Sequence, residues 1–267
     1  MLKKLFRYEF KYYRKWILIS YITLVAFLFI ARFSYELNQV AVEIEDSLSV
    51  LTFTPAILLI LGSVLVVQGV IMLPLIMCAV RSYRNLVTDE AYLTFTLPVR
   101  TSHHILVKTV TPFVYALASV AVSILFVTPI LCLGTPIQLT DILDFFDLLA
   151  KNMTPGLWVY FVITLIILAL ISLASQIIMI NFSVAVGQTA KKHKLVGAIV
   201  AYLITSGIIS FVTNIINNIV LIYGLNNGSD AIVFLHTMNI RSVLLLGVMV
   251  FQYWYTLRSF RFKLNLQ

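Results

Sequence analysis

Charge is what this sequence has least of: Asp, Glu, Lys and Arg make up 11% of its 267 residues, against roughly 25% in an average soluble domain. That shortage excludes a water-soluble globule. Long polar stretches are missing too. Once about six spans of roughly 20 residues are set aside, no connecting segment much exceeds about thirty residues, which leaves no room for a separate soluble domain. The two cysteines, Cys78 and Cys132, lie near the ends of successive apolar runs that face opposite membrane surfaces. A disulfide between them is geometrically excluded, and both read as reduced, structural thiols. The sequence has no G-x-x-x-x-G-K-[ST] phosphate loop, no H-E-x-x-H, no nucleophile paired with a base and no cysteine-rich metal spacing. An enzyme is therefore not expected, nor a metal or cofactor on this chain. No acidic or basic residue lies deep in an apolar run, Arg32 being near an outer end; the buried ionisable groups of proton-coupled carriers are thus lacking.

What is present is apolar sequence in blocks. Hydrophobic residues reach 61% and gather in runs at 16–33, 51–80, 112–133, 157–182, 196–223 and 240–257, each long enough to be read as a bilayer span. The first follows a basic stretch, as a signal peptide would. It ends in Leu28-Phe29-Ile30-Ala31-Arg32-Phe33 instead of a small-x-small cleavage site, so it should stay as an anchor. The expected fold is an all-α polytopic membrane protein of six transmembrane helices, one transmembrane domain over 1–267, with both termini on one side.

The charges say which side. Lys and Arg number six before the first span, four in 81–111, three in 183–195 and three after residue 256, sixteen of the nineteen in all. By the positive-inside rule that face is cytoplasmic. With Glu9, Asp89 and Glu90 it carries +13, while Arg32, Lys151 and Arg241 against eight acids leave −5 on the other face. The net +8 is accounted for by membrane orientation, and nucleic acid is not an expected partner.

Two runs exceed a straight crossing. Residues 51–80 would make about 45 Å of helix against a hydrocarbon core near 30 Å, so a kink at Pro74 or a cytoplasmic extension is expected. The run at 196–223 ends in Asn214, Asn217 and Asn218, polar enough to suggest a re-entrant turn through the outer leaflet.

At 100° per residue, Leu2, Leu5, Phe6, Phe10, Tyr13 and Ile17 share one helix face and Lys3, Lys4, Arg7, Lys11, Arg14 and Lys15 the other. Residues 1–15 thus predict an interfacial amphipathic helix in contact with membrane lipid. Glu9 sits among the apolar side chains and needs a partner there, expected among Arg81, Arg84, Arg100 and Lys108. In 81–111, Thr88 is a good N-cap, Asp89 and Glu90 complement a helix dipole, and Pro98 ends the segment. Tyr92, Leu93, Phe95 and Leu97 make this short helix more apolar than an idle loop, as a docking site would be.

Tyr8-Glu9-Phe10-Lys11 and Asp89-Glu90-Ala91-Tyr92-Leu93-Thr94-Phe95-Thr96-Leu97-Pro98 resemble the type 2 ATP-binding cassette export permeases of Gram-positive bacteria, as does the layout of the whole chain. Ala91 departs from the pattern, which leads one to expect glycine there. The resemblance implies that residues 88–98 are a coupling helix seated in a separate cytoplasmic ATPase subunit, and that the N-terminal helix, with Glu9, Phe10 and Lys11, is a connecting elbow. It implies a bacterial cell membrane, a second permease copy or sister permease, and ATP and Mg on the partner.

Gln68, Gln176, Asn181, Asn214 and Asn217 lie in apolar runs and either bond between helices or line a substrate path. A path of Asn, Gln, Ser and Thr among aliphatics suits a hydrophobic or amphipathic substrate, a peptide or antibiotic among them. Residues 138–152, with Asp141, Asp144 and Asp147 in a stripe, predict an external amphipathic helix. His103 and His104 read as ordinary interfacial residues. A non-transporting scaffold or immunity protein, and an ATP-independent carrier, fit the same topology.

Overall fold

The computed structural model of the chain describes residues 2–44, 46–88, 101–132, 144, 154–190, 193–227 and 230–262. Six helices hold nearly all of them: α1 (Leu2–Ile44), α2 (Asp46–Val87), α3 (Thr101–Cys132), α4 (Pro155–Gly187), α5 (Lys194–Asn227) and α6 (Asp230–Phe262). No strand occurs among the described residues. Each helix contains a stretch long and apolar enough to cross a membrane: Leu2–Ser34, Leu61–Val87, Thr101–Phe126, Pro155–Gly187, Lys194–Val220 and Val233–Arg261. The chain is an all-α, multi-pass membrane protein, as its hydropathy predicts. Its outer surface agrees, since Leu203 and Phe211 on α5 are 63% and 67% exposed, an arrangement suited to lipid or another apolar surface.

The helices run well past the apolar runs. Residues 2–15 and the first span are one helix, α1; on the predicted apolar face Tyr13 and Ile17 are buried and Leu5, Phe6 and Phe10 half-buried but Leu2 is exposed, while Lys3, Lys4, Arg7, Lys11, Arg14 and Lys15 are exposed on the other. α2 continues through Pro74, itself buried, to Val87. The connector expected at 81–111 is therefore mostly helix, with only 88–100 left between α2 and α3. Hydropathy ends a span where charge begins, but these helix ends are held by packing. Leu86 and Ile105, each 1% exposed, bury together with Val184, Ala185 and Phe260.

The re-entrant turn expected at the end of the fifth run is also corrected, because α5 is a continuous helix of 34 residues through Asn227. Asn214 and Asn217 lie on a polar wall of the bundle, so they need no break in the helix to find polar surroundings. At Pro74, where a kink or a cytoplasmic extension is expected, α2 stays helical and extends to Val87; the external helix expected at 138–152 lies outside the described residues apart from Asp144.

The chain divides into two compact units, one of Met1–Glu9, Leu75–Phe113 and Ala150–Gln267, the other of Phe10–Pro74 and Val114–Leu149. In the second unit Leu24, Leu28 and Val70 form the core beneath Tyr21, Val66, Val67 and Val122. Tyr115 stacks on Tyr13 with ring centroids 5.6 Å apart and donates its hydroxyl to the Phe10 carbonyl at 2.9 Å.

In the first unit α4 packs against both α5 and α6. Thr154 is extended at the N-cap and Pro155 opens α4, where its missing N–H would have lacked a partner anyway. α6 runs parallel to α4: the Asn239 amide donates to the Tyr160 hydroxyl at 2.7 Å near one end, and Ser259 donates to the Ala185 carbonyl at 3.3 Å near the other. α5 returns antiparallel to α4, with Ala198 against Gly187.

Candidate functional site

Two polar constellations interrupt the apolar packing of the first unit. One is built around Glu9, only 6% exposed. Its carboxylate accepts from Arg81 Nε, and Lys108 Nζ lies 3.7 Å from its other oxygen. Of the four cations expected as partners, the structure selects Arg81 and Lys108, which brings α1, α2 and α3 to one point. Arg84 is exposed and Arg100 lies outside the described residues. The Tyr8 ring supports the Arg81 guanidinium at 5.4 Å, a cation–π contact. His104, 2% exposed, lines a cavity of about 100 Å³ beside Glu9 and Lys108.

Next to this cluster Asn181 accepts from the Ser82 hydroxyl at 2.6 Å and donates to Thr109 at 3.4 Å. α2, α3 and α4 are thereby joined, and Gln188 extends the seam by donating to the Leu86 carbonyl at 2.6 Å. Asn181 is thus a helix-to-helix tie and lies apart from the polar pocket described next. Interhelical hydrogen bonds within membranes average about 0.6 kcal/mol each, so Asn181→Ala, which removes two, is expected to cost about 1 kcal/mol. Equilibrium unfolding in mixed micelles reads that loss; a midpoint equal to that of the parent would show the seam to be energetically idle.

The second constellation is a pocket of about 210 Å³ between α4, α5 and α6. Ser172, Ser175 and Gln176 face it from α4, and Ser206, Ser210, Thr213, Asn214 and Asn217 from α5. Arg241 completes the polar wall from α6, and Met179 and Leu245 supply apolar lining. Three of the five residues expected on a path, Gln176, Asn214 and Asn217, are brought together here, with Tyr202 donating to Gln176 at 3.2 Å. Gln68 is not among them; it is exposed on α2 in the other unit. No protein-family model matches this chain, and no curated protein and no solved structure matches it either.

Two cations of these constellations lie within the span-capable stretches. Lys108 falls within Thr101–Phe126 and Arg241 within Val233–Arg261. Hydropathy places Lys108 outside the third apolar run and Arg241 at the outer edge of the sixth, and each cation has polar company: a carboxylate for Lys108, hydroxyls and amides for Arg241.

Sequence reasoning passed over Arg241 and the serines of the pocket. A signal was there: Ser206, Ser210, Thr213, Asn214 and Asn217 recur at helical spacing along one face of an apolar helix. Of the predicted docking residues, Asp89, Glu90, Tyr92, Leu93, Phe95, Leu97 and Pro98 lie outside the described residues. Thr88 donates its hydroxyl to the Arg84 carbonyl, so that hydroxyl finishes α2. Among the described residues no cluster of His, Cys, Asp or Glu suited to a metal occurs.

Proposed function

We propose that this chain is the membrane-spanning permease subunit of an ATP-binding cassette exporter of a bacterial cell membrane, with both termini in the cytoplasm. It moves a hydrophobic or amphipathic substrate, such as a peptide or antibiotic, using ATP and Mg bound by a separate ATPase subunit, and works with a second permease copy or a sister permease. The observation that supports this reading is the buried base shared by the helix ends on either side of residues 88–100. Leu86 from α2 and Ile105 from α3 pack there with Val184, Ala185 and Phe260 of α4 and α6. The Glu9–Arg81–Lys108 cluster braces the same two helices from α1.

A lever works only if its foot does not yield. A close-packed base that joins α2, α3, α4 and α6 passes a displacement at 88–100 into the spans, where a flexible connector would absorb it. The apolar residues Tyr92, Leu93, Phe95 and Leu97 give an ATPase something to hold.

Co-purification tests the reading. Leu93→Asp with Leu97→Asp is expected to abolish association with the partner ATPase and ATP-driven uptake into inverted vesicles. Association that survives both substitutions would refute the docking role. ATPase binding without ATP-dependent movement would indicate a scaffold or immunity protein, and movement by this chain alone an ATP-independent carrier.

A further inference from the structure

We infer that the pocket between α4, α5 and α6 binds the anionic head of an amphiphile, with Arg241 as its counter-charge and Met179 and Leu245 against its aliphatic part. Charge balance is the first reason. Among the described residues no carboxylate pairs with Arg241, whereas Arg32 has Glu36 at 2.7 Å and Arg81 and Lys108 share Glu9. Around Arg241 are neutral hydroxyls and amides, which can solvate an ion pair but do not neutralise a cation.

Depth is the second. Arg241 lies six residues from the midpoint of Val233–Arg261, about 9 Å along the helix axis at ~1.5 Å per residue, and so well inside a stretch long and apolar enough to cross a membrane. A cation at that depth is costly unless it is paired or watered, and a ligand anion supplies the pairing.

Size and polarity identify the ligand further. At about 210 Å³ the pocket is smaller than the roughly 300–1,000 Å³ of sites that enclose a whole drug-sized molecule, so it takes a head and leaves a tail outside. Because α4 and α6 are parallel and α5 antiparallel, Ser172, Asn217 and Arg241 stand toward one end of the pocket, and Met179 and Leu245, beside Ser206, toward the other. A charged end followed by one that adds the apolar side chains matches an anionic group on an alkyl chain. A phospholipid of the bilayer and a separate anionic amphiphile share that chemistry. As a substrate site the pocket rests on the export reading; as a binding site it needs no ATPase.

The test uses the full chain in phosphatidylcholine nanodiscs, titrated with radiolabelled dodecyl phosphate. Saturable binding is expected, weakened about tenfold or more by Arg241→Gln, less by Arg241→Lys, and not displaced by dodecyltrimethylammonium. If Arg241→Gln does not fold, Ser210→Leu, which fills the pocket and leaves the charge, should cost comparable binding. Binding indifferent to both variants, or displaced equally by the cation, overturns the proposal. Displacement by phosphatidylglycerol added to the discs supports it with a bilayer lipid as the source; binding that phosphatidylglycerol leaves unmoved supports it with a separate amphiphile. ATPase association that survives Leu93→Asp with Leu97→Asp would remove the export reading and leave this site standing, whereas a lack of saturable dodecyl phosphate binding would do the reverse.

Discussion

Replacing Glu9 with Gln is expected to destabilise the protein by on the order of 3–5 kcal/mol, the usual cost of removing one partner from a buried ion pair. The variant leaves Arg81 and Lys108, whose side chains are 11% and 5% exposed, facing each other with no carboxylate between them. Lys108→Met should cost much less, because Glu9 and Arg81 remain matched in charge and the apolar stem of Lys108 is replaced by one of similar length. Adding Lys108→Met to Glu9→Gln should then recover part of the loss. A double-mutant cycle from equilibrium unfolding in mixed micelles measures the coupling. Single losses that simply add, with Glu9→Gln no worse than Lys108→Met, would show that the cluster does not act as a unit.

The other large effect is steric. A Cβ added at Gly187 would sit 2.6 Å from the Ala198 backbone nitrogen and 2.7 Å from its Cα. Backbone atoms cannot rotate away, so Gly187→Ala must force α4 and α5 apart at their closest approach. The expected cost is about 3 kcal/mol, the upper end of the usual range for overpacking. Gly69→Ala makes the same chemical change on α2 with nothing within 4 Å of the new carbon. There the gain in helix propensity should dominate, raising stability by up to ~1 kcal/mol. Thermal unfolding in detergent compares the two, and shifts of the same sign would contradict this account of the α4–α5 contact.

The Glu9 cluster shows how far a sequence argument reaches at a single residue. A carboxylate on the apolar face of an amphipathic segment demands a cation, and four were available; that Arg81 and Lys108 supply it depends on how α1, α2 and α3 are brought together. Gln176 and Asn181 show where such an argument stops. Both are amides in the same apolar run, five residues and so about 140° apart around the helix. One lines the polar pocket and the other ties α4 to α2 and α3. Nothing in their local sequence distinguishes them, because each amide's role is set by what the opposite helix presents.

Number and approximate position of the spans were determined by the sequence alone. In a bilayer every backbone polar group has to be satisfied within its own segment, so a run of about 20 apolar residues has few structural choices open to it. Helix ends, the continuity of α1 and α5, and the grouping of Ser172, Asn214, Asn217 and Arg241 into one pocket were decided by tertiary structure. Each of these turns on which face of one helix meets which face of another, and a lipid-facing helix and a protein-facing one satisfy the same hydropathy.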